Sequence, residues 1–174
     1  MNILQLCCFT NLWSSNHEVV SIDLRTKQNV LDLSDTIGTE FDFVCAAPPC
    51  DQFTKACSAH WESYPKYFIA VAQKCFNICV QSQGLWFLEN PPGRIEKFIP
   101  ALTAFRMCTW SSSTSNKEYI IYSNFMIVLG SKKRYGYPSS EFNNKSKRQR
   151  EAWDPELIRD IERCLPTIYK PIIK

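Results

Sequence analysis

The chain has 174 residues, of which 45% are hydrophobic and 13% aromatic, and its formal net charge is +3. A chain of this size and apolar content can bury one core, which excludes disorder on compositional grounds and predicts a single domain over residues 1–174. The mild positive charge is compatible with a polyanionic partner and demonstrates none. Nine cysteines are an odd number, and no signal peptide is expected before them. They read as reduced thiols of a cytoplasmic protein, not as a disulfide scaffold. With no paired Cys-x-x-Cys clusters and only two histidines, His17 and His60, no metal site is expected. No apolar run reaches the roughly 18 residues of a membrane span, so no membrane association is expected.

In chain order, strand and helix signals alternate, the pattern of a parallel sheet. Asn2 to Cys8 reads as a first strand, followed by a turn or helix start at Thr10 to Asn16. His17 to Asp23 (HEVVSID) reads as a second strand ending on an acid, and Asn29 to Leu33 (NVLDL) as a short third. Phe41 to Ala47 (FDFVCAA) is almost continuously apolar, as a central strand covered on both faces should be. Pro48 and Pro49 stop it. From Tyr67 to Gln81 apolar residues recur at spacings of three and four, which predicts a helix with Cys75 and Cys79 as small hydrophobes on its inner stripe. Gly84 ends that helix, and Leu85 to Leu88 follows as a strand stopped by Pro91, Pro92 and Gly93. Ile95 to Arg106 reads as another helix. Glu118 to Leu129 reads as one or two strands, forming a hairpin that turns near Ser123-Asn124. Ser131 to Arg150 is polar and basic, and Asp154 to Cys164 opens with Asp-Pro, a good helix start.

Two strand ends carry chemistry. Ala46-Ala47-Pro48-Pro49-Cys50-Asp51-Gln52-Phe53-Thr54 puts a thiol on a loop stiffened by two prolines, and Glu89-Asn90-Pro91-Pro92-Gly93 closes the next predicted strand. Ligands of a parallel sheet sit beyond the carboxyl ends of its strands, so one thiol and one carboxylate are expected at the same edge. That pair suits pyrimidine chemistry. Cytosine C5 is too weak a nucleophile to attack a methyl donor, but a thiolate adding at C6 turns the ring into an enamine whose C5 is nucleophilic. A carboxyl group at N3 can hydrogen-bond the ring and stabilise the charge that develops.

Pro49-Cys50 after an apolar strand, with Glu89-Asn90-Pro91 after the next, resembles the Pro-Cys and Glu-Asn-Val/Pro motifs of DNA cytosine-C5 methyltransferases. The segments PPCDQFTKACSAHW and WFLENPPGRIEKF are similar to short, phage-encoded members of that family. The resemblance is strong over roughly residues 40 to 100 and fainter in LQLCCFTNLWS, HEVVSIDL, NKEYIIYSN and DPELIRDI. It implies a Rossmann-like methyltransferase fold of α/β class: a mostly parallel sheet with a C-terminal hairpin and helices on both faces. It also implies DNA as partner and, for a phage-encoded chain, the host cytoplasm as location.

Carried over residue by residue, the resemblance makes Cys50 the nucleophile and Glu89 the ring-binding carboxylate. Pro49, Asn90 and Pro91 would shape the base pocket, with Lys117, or else Arg94, as the basic contact to cytosine O2. S-adenosylmethionine would lie against Leu6, Cys7 and Pro48, with Asp23 on its ribose hydroxyls and Asp32 near its adenine. Taken singly, Asp23 reads better as a strand terminator and Asp32 as a turn residue, and His60 and Trp61 could line the pocket but read better as packing residues. The basic stretch from Lys132 to Arg150 suits phosphate contacts or a solvated loop alike.

The sequence also departs from the family. Gln5, Phe9, Asn11 and Leu12 fall where the cofactor loop has an acid and glycines, which allow positive φ and close backbone approach. Asp51 beside Cys50 would tend to raise the thiol's pKa. No separate target-recognition domain is expected in 174 residues, so specificity would be low, or the loops or a partner chain would supply it. The expected activity is methyl transfer from S-adenosylmethionine to cytosine C5 through a covalent Cys50 adduct. The alternative is a catalytically inactive or cofactor-independent relative that binds DNA or a partner protein.

Overall fold

A computed structural model describes residues 1–8, 13, 16–50, 53, 66–91, 93–99, 106–111, 118–125, 127 and 155–168. Six strands form one sheet: β1 (Asn2–Leu6), β2 (Glu18–Ile22), β3 (Phe43–Ala46), β4 (Leu85–Asn90), β5 (Arg106–Ser111) and β6 (Glu118–Ser123). Among the described residues two α-helices accompany them, α1 (Lys66–Gln81) and α2 (Pro155–Ile168). The strand order is β2-β1-β3-β4-β6-β5. β1 pairs in parallel with β2 and β3, and β3 with β4, whereas β6 runs antiparallel to both β4 and β5. Five strands therefore share one direction, and the reversed β6 is inserted among them. This is a Rossmann-like α/β fold.

Alternation along the strands builds two cores. Leu4, Leu6, Val44, Ala46, Trp86 and Leu88 face one side, where α1 contributes Val71, Ala72, Cys75, Phe76, Ile78 and Cys79. Ile3, Phe43, Cys45 and Phe87 face the other, where α2 contributes Leu157, Ile158, Ile161, Cys164 and Leu165. Each large side chain fully buried this way contributes about 1.5–3 kcal/mol. Both faces of β3 are thus dry, which is why its sequence is a continuous apolar run. At the opposite end from the loops of interest, Leu85 N–H donates to Asp42 O at 3.1 Å. A Cβ at Gly84 would collide with that same Asp42 carbonyl. Gly84 therefore permits the close approach that starts the β3–β4 ladder.

Three expectations are corrected. Asn29 to Leu33 is not a strand: Val30–Asp32 is a 3-10 turn whose first N–H groups are served by Asn29, with Leu31 N–H donating to Asn29 Oδ1 at 3.1 Å. A capping side chain at the front of so short a segment favours the turn over a ladder. Ile95 to Arg106 is not one helix: a 3-10 turn spans Ile95–Lys97, and Arg106 opens β5. In sequence, Pro100 removes an N–H that a continuous helix would need. The hairpin partner of β6 is β5, which precedes it, and not a strand beyond Ser123-Asn124. Asn124 instead prolongs the β4–β6 ladder with its side chain, accepting from Trp86 N–H at 2.9 Å and donating to Gly84 O at 2.9 Å.

No helix among the described residues is long and apolar enough to cross a membrane. No group of three or more His, Cys, Asp or Glu among them is arranged to hold a metal ion.

Candidate active site

The parallel register fixes which residues share the carboxyl edge. Leu6 is level with Ile22 on one side and Ala46 on the other, and Ala46 is level with Leu88. The next residues along each strand, Cys7, Asp23, Ala47 and Glu89, therefore emerge together, with Pro48 to Cys50 just beyond. Of the residues singled out in the sequence, Leu6, Cys7, Asp23, Pro48, Pro49, Cys50, Glu89, Asn90 and Pro91 come to this edge. Lys117, His60, Trp61, Asp51, Phe9, Asn11, Leu12 and the stretch 132–150 lie outside the described residues.

The two motif loops are tied to each other. Asn90, 1% exposed, donates from Nδ2 to Pro48 O at 2.8 Å, so the strand carrying the Glu-Asn-Pro motif holds the carbonyl two residues before Cys50. Beyond Cys50, a tight turn returns Phe53 N–H to Cys50 O at 2.8 Å. Phe53 is fully buried, packs on Phe98 with ring centroids 5.8 Å apart, and its carbonyl accepts from Arg94 N–H at 2.8 Å. Cys50 is half-buried between these anchors. Phe53 stands inside the Pro-Pro-Cys motif, but nothing local in the sequence marks it as an anchor rather than any other loop aromatic.

Glu89 is 5% exposed. It pairs with Ile121 of β6 and follows Phe87 in alternation, so it faces the α2 side of the sheet, while Asn90 faces the α1 side. Adjacent strand residues thus divide the work, one presenting a carboxylate and one bracing the thiol loop. Burial, then the bond to Cys45 and neighbouring charges that include Glu89, pushes the Cys8 thiol well above its ordinary value. Cys8 is a protonated neighbour of Glu89, its Sγ directed to Leu6 O at 3.1 Å.

The β1–β2 side is built differently. Gly38 is the first glycine of the chain, so no glycine serves the turn after β1. Cys7 takes the left-handed conformation itself, with φ 56°, and its N–H donates to Ile22 O at 2.8 Å. For a residue with a Cβ that conformation costs roughly 1–2 kcal/mol. Asp23, one residue past Ile22, caps the 3-10 turn Leu24–Thr26, its Oδ1 accepting from Arg25 N–H at 2.9 Å. Asp32 is exposed on the following turn. Tyr67, at the start of α1, stands close enough to feel both Cys7 and Asp32. Burial first, then those two groups, raises its phenol pKa. Tyr67 read in sequence only as the first turn of a helix.

No protein-family model matches the sequence, and no curated protein matches it. Among solved structures the chain is similar to the Entamoeba histolytica methyltransferase EhMeth, with 14% identity, a TM-score of 0.49, and coverage of 82% of this chain and 58% of that one. The chain thus spans less than two thirds of the Entamoeba protein. It is also similar to the release-factor-specific protein-(glutamine-N5) methyltransferase of Alicyclobacillus acidocaldarius, with 10% identity, a TM-score of 0.40, and coverage of 70% and 78%. At these values neither similarity carries a substrate or an activity to this chain.

Proposed function

We propose that this chain is a DNA cytosine-C5 methyltransferase that uses S-adenosylmethionine and acts on a cytosine flipped from the duplex. The observation that carries the reading is the junction of the Pro-Pro-Cys and Glu-Asn-Pro loops. Asn90 bonded to Pro48 and Arg94 bonded to Phe53 tie together the two loops that carry the half-buried Cys50 thiol and the buried Glu89 carboxylate at one sheet edge. The Cys50 thiolate adds to C6 of cytosine, forming an S–C bond while the C5=C6 pair moves to C5. Glu89 holds N3 and the ring's developing charge. After methylation at C5, loss of the C5 proton and expulsion of the thiolate restore the double bond. Pro48 and Pro49 limit the freedom of the loop, so little ordering remains to be done when the base arrives.

The residues at the β1–β2 edge fit the cofactor in part. An acid at the end of β2 and a left-handed turn at Cys7 adjoin, which suits a ribose diol beside a closely approaching backbone. When bound, S-adenosylmethionine supplies an electrophilic methyl group. Cys7, Asp23 and Asp32 would hold it, with Tyr67 flanking. Against this, Asp23 already spends Oδ1 on the Arg25 N–H, and Cys7 supplies a Cβ where glycine would leave space. These two facts favour a second reading, a relative that binds DNA or a partner protein without cofactor or catalysis.

Incubation with DNA containing 5-fluorocytosine separates the two. With S-adenosylmethionine present, an active enzyme is trapped as a covalent complex through Cys50, because fluorine at C5 cannot leave as the proton does. Absence of any adduct, together with no cofactor binding by calorimetry, would sink the enzyme reading in favour of the second. The basic stretch 132–150 is proposed to contact DNA phosphates, and a partner chain to supply target specificity.

A further inference from the structure

Two thiols meet at the turn after β1. Cys7 Sγ lies 3.9 Å from Cys75 Sγ, across 68 residues of sequence, joining the end of a strand to the middle of α1. Both are free thiols, Cys7 half-buried and Cys75 fully buried. The other described buried thiols point to carbonyls: Cys8 to Leu6 O at 3.1 Å, Cys45 to Leu4 O at 3.6 Å, Cys79 to Phe87 O at 3.9 Å and Cys164 to Asp160 O at 3.2 Å. Among the described thiols, the Cys7–Cys75 contact sets a partly accessible sulfur against a second, buried sulfur. Cys7 is also a left-handed residue level with the β2 end that carries Asp23, so a covalent bond drawn from its sulfur to α1 would pull on the turn proposed to face the cofactor.

We propose that Cys7 and Cys75 are a redox-active pair that closes to a disulfide under a peroxide, tying the turn after β1 to α1 and weakening cofactor binding. A disulfide requires sulfurs about 2.05 Å apart, so the 3.9 Å contact must shorten, and the turn must move toward the helix. The chemistry balances in two steps. The Cys7 thiolate attacks a peroxide oxygen, breaking the O–O bond, forming a sulfenic acid and releasing hydroxide, which takes up the thiol's proton as water. The Cys75 sulfur then attacks the Cys7 sulfur, forming the S–S bond, while the sulfenic oxygen departs as a second water with the Cys75 proton. Two sulfurs are oxidised and one peroxide is reduced. In a reducing cytoplasm such a bond is transient, as a sensor's should be. The effect on the cofactor rests on the function proposed above, whereas the disulfide itself does not.

The test uses the full chain, reduced and then treated with hydrogen peroxide, with remaining thiols alkylated and peptides mapped without reductant. The expected result is a Cys7–Cys75 cross-linked peptide that dithiothreitol reverses, and S-adenosylmethionine affinity about tenfold weaker in the oxidised form. Cys75→Ala forms no cross-link and keeps its reduced-state affinity under peroxide. A link between Cys8 and Cys45 instead, or oxidation confined to Cys50, overturns the pair. A Cys7–Cys75 link with unchanged affinity overturns its effect on the cofactor. A reduced protein that binds no S-adenosylmethionine overturns the functional reading and the gating together, while the cross-link still decides the dithiol by itself.

Discussion

The two halves of the carboxyl edge solve the same problem by opposite means. On the β3–β4 side, prolines and a side-chain-to-backbone bond lock the loops: Asn90 to Pro48 at 2.8 Å and Arg94 N–H to Phe53 O at 2.8 Å. On the β1–β2 side, the crossing bond between the described strand ends is backbone to backbone, Cys7 N–H to Ile22 O at 2.8 Å. A strained Cys7 and an Asp23 busy with its own turn stand where glycine and an unengaged acid would be expected. The difference teaches that one sheet edge can brace a pair of loops by a side chain reaching between them while the adjoining turn is held by its own backbone and cap.

The comparison breaks most decisively at Cys50. Cys50→Ala should lower methyl transfer by at least ~10³-fold and abolish the 5-fluorocytosine adduct, with no change in melting temperature, because the residue is half-buried and lies beyond the strand. Retained turnover would show that the thiol is only a packing group. Next in size, Asn90→Ala removes the donor to Pro48 O and should destabilise the protein by about 1–3 kcal/mol in urea unfolding. The adduct should form more slowly in the same variant.

Asp23→Asn sharpens the other side. Asparagine caps as well as aspartate, so stability should change by less than about 0.5 kcal/mol. Cofactor affinity should fall about tenfold if the carboxylate holds the ribose; an unchanged affinity would leave Asp23 as a cap alone. Buried thiols give a further handle. Cys8, Cys75 and Cys79 hold their protons above the ordinary thiol value, Cys8 and Cys79 chiefly through burial and Cys75 chiefly through its contact with Cys7. Their contribution to stability is complete below about pH 8.5 and is lost as pH rises toward the raised folded-state values, because the unfolded chain gives up those protons first. Chemical denaturation at pH 7 and pH 10 checks the sign. Smallest of all, Lys27 sits at φ 61° on an exposed turn, and Lys27→Gly should stabilise by about 0.5–1 kcal/mol.

Much of the fold was legible where local pattern and tertiary context agree. The β-branched run before Asp23, the apolar run from Phe43 to Ala46 and the stripe of α1 each carry a periodicity of their own, and each became the expected element. Where length was short or a side chain could compete for backbone groups, pattern misled. Asn29 turned an apparent strand into a 3-10 turn, and Asn124 replaced an expected hairpin turn with a side-chain rung between β4 and β6. The Cys50 and Glu89 positions were legible because prolines punctuate both strand ends. Phe53, Tyr67 and the Cys7–Cys75 contact were not, since each acquires meaning only from a neighbour distant in sequence.

The sequence by itself determined the α/β alternation, the two motif-bearing strand ends and the unusual composition of the segment after β1, because helix stripes, strand alternation and proline stops act over a few residues. The tertiary structure alone decided that β6 inserts in reverse between β4 and β5, that Glu89 and Asn90 face opposite sides of the sheet, and that Asn90 reaches back 42 residues to Pro48. Such contacts depend on strand register, which is selected by burying whole faces at once and leaves no local mark on the residues that later meet.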